Sequence, residues 1–253
     1  MRSSVSYPSR RDAPFASRYS FRRGRSPRTI IGLDCDGVLA SDRLLWQRMR
    51  EQYPEHIPAR YEDLTTFEWP RATAATAAMC AELSADPIFA ARLDPMPRMA
   101  EALRRLGTAG YRVHILTARP ECVRDATRRW LRRHGVSEWV EEIHCVEGGM
   151  AKIPLALELG CAAFVEDNHA TAEAMGRAGP RSYLMDAPYN RRATQHSLRV
   201  SGWRELLDDL VEYVPARRPA LRLADAREPA PADLPLLAAL ASGTPASAAE
   251  LAS

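Results

Sequence analysis

A Rossmann-like α/β fold is predicted, a parallel sheet with helices on both faces and a small inserted helical cap. Three observations predict it. Short apolar runs alternate with segments of helical spacing, the pattern of strands joined by crossover helices. One stretch of about 60 residues breaks the alternation and is far longer than an ordinary connection. No apolar run approaches the roughly 20 residues that span a bilayer, so the chain is expected to be soluble, with no membrane partner.

Taken in order, residues 1–27 are rich in Ser and Arg, hold one acid (Asp12) and lack hydrophobic periodicity. They read as a disordered basic arm, with organelle targeting or anion binding as the other readings. The core is expected over residues 28–215. Residues 29–35 read as a buried strand through Ile30, Ile31 and Leu33. The long interruption, at about 41–97, carries helical stretches at 43–52 and 72–83, and Pro54, Pro58, Pro70, Pro87, Pro95 and Pro97 punctuate it. Met99, Leu103 and Leu106 stand at helical spacing, closed by Gly107 and Gly110. Strands follow at 111–117, 142–146, 162–166 and 182–186. Helices lie between them, through Val123 to Leu131, at 152–159 and at 170–178, with a closing helix at 203–214. Residues 216–253 form a low-complexity Ala/Pro tail, with at most a short helix at 234–240.

Composition narrows the function. The net charge of +3 is too small to argue by itself for a nucleic-acid partner. The five cysteines are scattered without CxxC spacing, which speaks against a zinc site or disulfide framework and for a reducing, cytoplasmic setting. Of 35 basic residues only Lys152 is a lysine. In a chain that otherwise uses arginine throughout, one lysine marks a place where a compact ammonium is needed.

Ligands of parallel sheets bind outside the carboxyl ends of the strands, and the reactive side chains fall there. The first strand ends in Asp34 and Asp36, followed by Gly37. The next ends in Thr117, then Ala118 and Arg119. Lys152 opens a helix, and a further strand ends in Glu166 and Asp167. Phosphoryl transfer asks for such a set. A carboxylate, Asp34, can attack phosphorus and split one hard step into two. Because carboxylate and phosphate repel, a hard cation must bridge them, and Mg2+ does so with few carboxylates, here Asp34 and Asp167. Asp36 can protonate the leaving oxygen and later activate water. Thr117 and Lys152 can hold phosphate oxygens, with Ala118 beside them, and Arg119 is expected to face the substrate.

Each residue alone has a plainer reading. Asp-x-Asp-Gly is often a turn, Glu166-Asp167 a helix cap, Thr117 a strand-end hydroxyl and Lys152 a surface charge. The rest of an EF-hand loop is missing, so a calcium site is not expected.

Together, DCDGVL, ILTAR, Lys152 and VEDN resemble the four signature motifs of the haloacid dehalogenase-like phosphatases over residues 29–190 or so. The resemblance implies a Rossmann-like core, Mg2+, Asp34 as nucleophile, and Asp36 as acid/base and as a metal ligand through its backbone carbonyl. It implies Asp167 as the further ligand. Glu166 departs from the commoner Asp-Asp or Gly-Asp pair, and both Glu166 and Asp167 stand as candidate ligands. Asp36 favours phosphate hydrolysis over dehalogenation. More narrowly, DGVLA, TARP and Asp186-Ala187-Pro188-Tyr189-Asn190 resemble the 5′(3′)-deoxyribonucleotidase group, which implies a nucleoside monophosphate substrate. Trp46, Phe67 and Trp69 of the cap would then stack its base, or else simply pack the cap. The competing readings are a phosphatase of nucleic-acid ends held by the basic arm, a sugar phosphatase, and a non-catalytic regulatory protein that keeps the fold.

Overall fold

A computed structural model describes residues 29–214. The expected basic arm at 1–27, with its targeting and nucleic-acid roles, and the tail at 216–253 lie outside the described residues.

Six strands form one parallel sheet: β1 (Ile30–Leu33), β2 (Arg112–Thr117), β3 (Glu142–Cys145), β4 (Cys161–Glu166), β5 (Arg181–Met185) and β6 (Ser197–Val200), in the order β3-β2-β1-β4-β5-β6. Eight helices accompany them among the described residues: α1 (Arg43–Gln52), α2 (Ala74–Ala85), α3 (Pro87–Arg92), α4 (Met99–Thr108), α5 (Arg124–Arg133), α6 (Lys152–Leu159), α7 (His169–Ala178) and α8 (Trp203–Tyr213).

Both faces of the sheet are covered, so the central strands β1 and β4 read as nearly continuous apolar runs rather than alternating ones. On one face Ile31, Leu33, Val113, Ile115, Ala163 and Val165 meet Leu103 and Leu106 of α4, Trp130 of α5 and Leu206 and Leu210 of α8. On the other, Leu116 and Phe164 meet Ile153 and Ala156 of α6 and Met175 of α7. Two buried indoles reach acceptors: Trp130 Nε1 donates to the Leu93 carbonyl at 2.7 Å and Trp203 Nε1 to that of Val38 at 3.2 Å.

The insertion holds α1, α2, α3 and two single helical turns, Tyr61–Asp63 and Trp69–Arg71, of which α3 packs back on the main domain, Ala90 meeting Val123 and Ala126. Its own core of Met49, Ile57, Tyr61, Leu64, Trp69 and Cys80 also receives Ala187 and Tyr189 from beyond β5. The chain enters and leaves through a narrow neck, where Ala40 pairs antiparallel with Pro95. Ser41 donates to the Asp94 carbonyl, and Met96 to that of Leu39, each at 2.8 Å.

The helix at 72–83 begins two residues later than its spacing predicts, because Thr73 is the cap. Its hydroxyl accepts from Thr76 N at 3.1 Å while Thr76 Oγ1 accepts from Thr73 N at 3.0 Å. Asp86 then ends α2 and caps α3, accepting from Ile88 N at 2.8 Å, with Pro87 in the first turn where its missing N–H costs nothing.

Periodicity also gave no sign of β6, and the reason is physical. Four residues at a sheet edge, with Leu198 exposed, make a weak hydrophobic signal. The segment is held instead by Glu173 of α7, whose carboxylate accepts from the backbone N–H of Gln195 (3.1 Å), His196 (3.0 Å) and Ser197 (3.0 Å) and from Ser197 Oγ (2.6 Å). Glu173→Ala would strand those donors. We expect a loss of about 2–3 kcal/mol and a fall in Tm of roughly 5–10 °C. Faster amide exchange should be confined to residues 195–200, and unchanged exchange there would refute the assignment.

Candidate active site

After β3 the chain crosses through α6 to β4, on the far side of β1, so the order of connection reverses between β1 and β4. A crevice at such a switch point is where α/β sheets take ligands. The registers bring the strand ends level, with Leu33 opposite both Ile115 and Val165. Asp34, the Thr117–Arg119 loop and Glu166-Asp167 therefore emerge side by side, and Lys152 enters from the first residue of α6.

Lys152 is the centre of the cluster. It is 2% exposed, and its Nζ lies 2.7 Å from Asp34 Oδ2 and 2.9 Å from Glu166 Oε2. Asp34 Oδ1 accepts from Cys35 N at 2.7 Å, and Glu166 Oε1 accepts from Asn168 N at 3.2 Å. Oxygens of Asp34, Glu166 and Asp167 all lie within 4.8 Å of one another. Gly37 makes this approach possible. Its φ is +71°, and a Cβ there would overlap the Asp167 carboxylate.

Crowding sets the charges. Burial, and then the neighbouring Glu166, push Asp34 well above the usual carboxylate range, with Lys152 only partly opposing. Burial, Glu166 and Asp34 push Asp167 the same way. Burial also opposes ionisation of Glu166, but Lys152 overcomes it and holds Glu166 low. Lys152 itself is raised, because the two carboxylates outweigh its own burial. Three buried carboxylates thus face one ammonium, a deficit that one divalent cation would balance. The oxygens of Glu166 are engaged by Lys152 and Asn168. Both oxygens of Asp34 are engaged as well, by Lys152 and by Cys35 N, while Asp167 Oδ2 accepts from Tyr189 OH; Glu166 shares the lysine with Asp34.

The second acid has a partner of its own. Asp36 receives a bidentate fork from Arg119, with Nε at 2.8 Å and Nη2 at 2.6 Å, and Arg119 Nη1 donates to Thr127 Oγ1 at 3.0 Å. Arg119 is buried while the Asp36 side chain keeps 46% of its surface open. Local crowding would raise Asp36, but Arg119 more than compensates and lowers it, so the carboxylate is ionised. Arg119, expected from the sequence to face the substrate, is here turned onto Asp36. Thr117 is buried at the end of β2, its hydroxyl accepting from Arg119 N at 3.2 Å, with Ala118 between them.

Of the cap aromatics, Trp69 is buried inside the lobe's own core. Trp46 and Phe67 are half-buried at its edge. Trp46 Nε1 donates to the Pro58 carbonyl at 3.2 Å, and the Phe67 ring lies 5.9 Å from that of Tyr189, edge-on.

Sequence reasoning gave no role to Thr127, Tyr189 or Asn190. Tyr189 OH donates to Asp167 Oδ2 at 2.7 Å, and Asn190 Nδ2 to the Asp167 carbonyl at 2.7 Å. The strand-end rule that flagged the other acids, applied to the residues after β5, points to this turn as well.

Residues 28–218 match the model of the family described as 5' nucleotidase, deoxy (pyrimidine), cytosolic type C protein. A nucleotidase of Clostridium acetobutylicum is 30% identical over 95 residues, which are 37% of this chain and 48% of that protein. The match thus spans about half the relative's length. The crystal structure of a predicted phosphoglycolate phosphatase from Haemophilus somnus superposes with a TM-score of 0.50 at 15% identity, covering 72% of this chain and 97% of that one. That likeness concerns the fold alone.

Proposed function

The chain belongs to the cytosolic type C 5' nucleotidase family, and from that premise we propose that it is a magnesium-dependent phosphomonoester hydrolase. It would work through an aspartyl-phosphate intermediate and take nucleoside monophosphates as substrates. The observation that carries the chemistry is Lys152 Nζ set 2.7 Å from Asp34 Oδ2 within a buried three-carboxylate cluster. The family description supports the choice of substrate and a cytoplasmic setting. All five cysteines are free, which fits a reducing compartment.

Asp34 and Asp167, with the backbone carbonyl of Asp36, would hold the ion. Bound magnesium supplies positive charge that offsets the carboxylates and lets an anionic phosphate approach Asp34. Asp34 attacks phosphorus, the ester P–O bond breaks, and the leaving oxygen takes a proton from Asp36. Asp36, again a base, then takes a proton from water as its oxygen attacks the aspartyl-phosphate. Inorganic phosphate leaves and Asp34 is restored. Lys152 and Thr117 hold the phosphate oxygens. The Arg119 pair keeps Asp36 in its base form, the form the second half-reaction needs. To protonate a leaving group, Asp36 must first part from that arginine and take up a proton, which solvent supplies in the first turnover and the attacking water in each later one. Trp46 and Phe67, at the edge of the cap, would stack the base.

Turnover of nucleoside monophosphates, sugar phosphates and 3′-phosphorylated oligonucleotides, with and without Mg2+, tests this. Preference for sugar phosphates or oligonucleotide ends would remove the nucleotidase reading and keep the mechanism. No turnover of any of them would remove the enzyme reading.

The crowded acids also imply a pH effect. Asp34 and Asp167 have folded-state values above those of the unfolded chain, so the native protein binds more protons, and their contribution to stability declines as pH rises. In EDTA, Asp167→Asn should therefore gain on the wild type in Tm as pH goes from 5 to 8, a window opening above the unfolded carboxylate value near 4. Saturating Mg2+ should reverse the ranking. A pH-independent difference in EDTA would contradict the assignment.

A further inference from the structure

Tyr189 stands between the cap and the acidic cluster. It is 4% exposed, in the single turn Pro188–Asn190 beyond β5. Its hydroxyl donates to Asp167 Oδ2 at 2.7 Å. Its ring meets two cap residues edge-on, Tyr61 at 6.4 Å and Phe67 at 5.9 Å between centroids. Tyr61 continues the line, donating to Asp42 Oδ1 at 2.5 Å. The turn is rigid. Asn190 Nδ2 donates to the carbonyls of Asp167 at 2.7 Å and Met185 at 2.8 Å. Its Oδ1 accepts from Ala187 N at 3.1 Å and from Arg199 Nη1 at 2.7 Å.

Packing alone asks only for the ring. The edge-on aromatic pairs with the cap are ones phenylalanine would make equally well, though the hydroxyl also interacts with Tyr61 and Asp42 of the cap. The hydroxyl has another use, since a donor on one oxygen of a carboxylate fixes the rotamer of the whole group. With Oδ2 engaged and its carbonyl tied down by Asn190, Asp167 has one oxygen, Oδ1, outside these bonds. Partners that orient a ligating carboxylate in this way typically change metal affinity by about 10–100-fold.

We propose that Tyr189 is a positioning residue for the divalent cation: it fixes Asp167 with one oxygen left to the ion, and it makes metal affinity depend on how the cap is seated. The inference rests on reading Asp34 and Asp167 as the cation's ligands. It departs from a purely catalytic account of the site, because it gives the cap an influence on the metal before any substrate arrives. By linkage, a substrate that draws the cap down would tighten the ion, and the ion would tighten the substrate by the same factor.

Calorimetric titration of the full-length protein with magnesium chloride, without substrate, tests it. Tyr189→Phe keeps the ring and should raise the Kd for Mg2+ about 10–100-fold. Phe67→Leu leaves the hydroxyl in place but removes a ring contact, and should raise Kd by a smaller factor. A Kd within about twofold of wild type in Tyr189→Phe would overturn the proposal. Should that variant not fold, an unchanged Kd in Phe67→Leu would do the same. Failure of the wild type itself to bind Mg2+ would instead overturn the underlying ligand assignment, so the two failures are distinguishable.

Discussion

Asp34→Asn is expected to lower kcat by roughly 10⁴–10⁶-fold, the scale on which loss of a nucleophile is felt when the rest of the site remains. The amide cannot attack phosphorus, yet it has nearly the volume of the acid and can keep the 2.7 Å bond from Cys35 N, at the cost of turning its NH2 toward Lys152 Nζ. In folding, the lost Lys152 bond opposes a relief of crowding. Asp34 is held above its ordinary range by burial and by Glu166, so removing its charge relieves a crowded cluster. Lys152 keeps Glu166 at 2.9 Å. The expected result is an inactive protein whose apo Tm stays close to that of the wild type. Phosphate release in excess substrate measures the first part and differential scanning fluorimetry the second. Residual activity above about 1% would point to another nucleophile, because that loss is far smaller than nucleophile removal gives.

Lys152→Met should produce the opposite pairing, with activity and stability falling together. Two carboxylates packed against Nζ, at 2.7 and 2.9 Å, would be left buried with no cation between them. Breaking a buried ion pair from one side costs about 3–5 kcal/mol, or a drop in Tm near 10 °C for a domain of this size. Adding Glu166→Gln removes one of the stranded charges and should recover part of the Tm but none of the turnover. Lys152→Arg retains the charge, but a planar fork must fit where a single point donor sits. It should fold better than the Met variant and still turn over poorly. If the double variant were no more stable than Lys152→Met alone, the bridging role of the lysine would be wrong.

Much of this site was legible in the sequence. Asp34, Thr117, Glu166 and Asp167 are read from topology, because alternating strands and helices bring strand ends to one edge of a parallel sheet. Lys152 is read from composition, as the sole lysine among 35 basic residues. Other features were hidden for definite reasons. Arg119 shows its place on a loop but not its side-chain torsions, and the choice of Asp36 over open solvent depends on Thr127, one turn into α5. The roles of Glu166 and Asp167 differ because of a neighbour at the start of α6 and another beyond β5, which no local pattern encodes. Strand β6 was missed because a distant carboxylate organises its entry rather than its own apolar residues. Trp69 illustrates the converse. Its residue type suits base stacking, but the fold uses it to fill the cap.

The burial of Lys152 has a use unconnected with phosphate. A lysine-specific endoprotease has one peptide bond to cut in this chain, between Lys152 and Ile153. Both residues lie buried at the start of α6 in the folded protein. Cleavage into two pieces would therefore time the opening of the active site itself. When cutting is slow compared with reclosing, its rate reports the open population directly. The same residue that marks the chemistry in the sequence would act as a single-site clock for local unfolding.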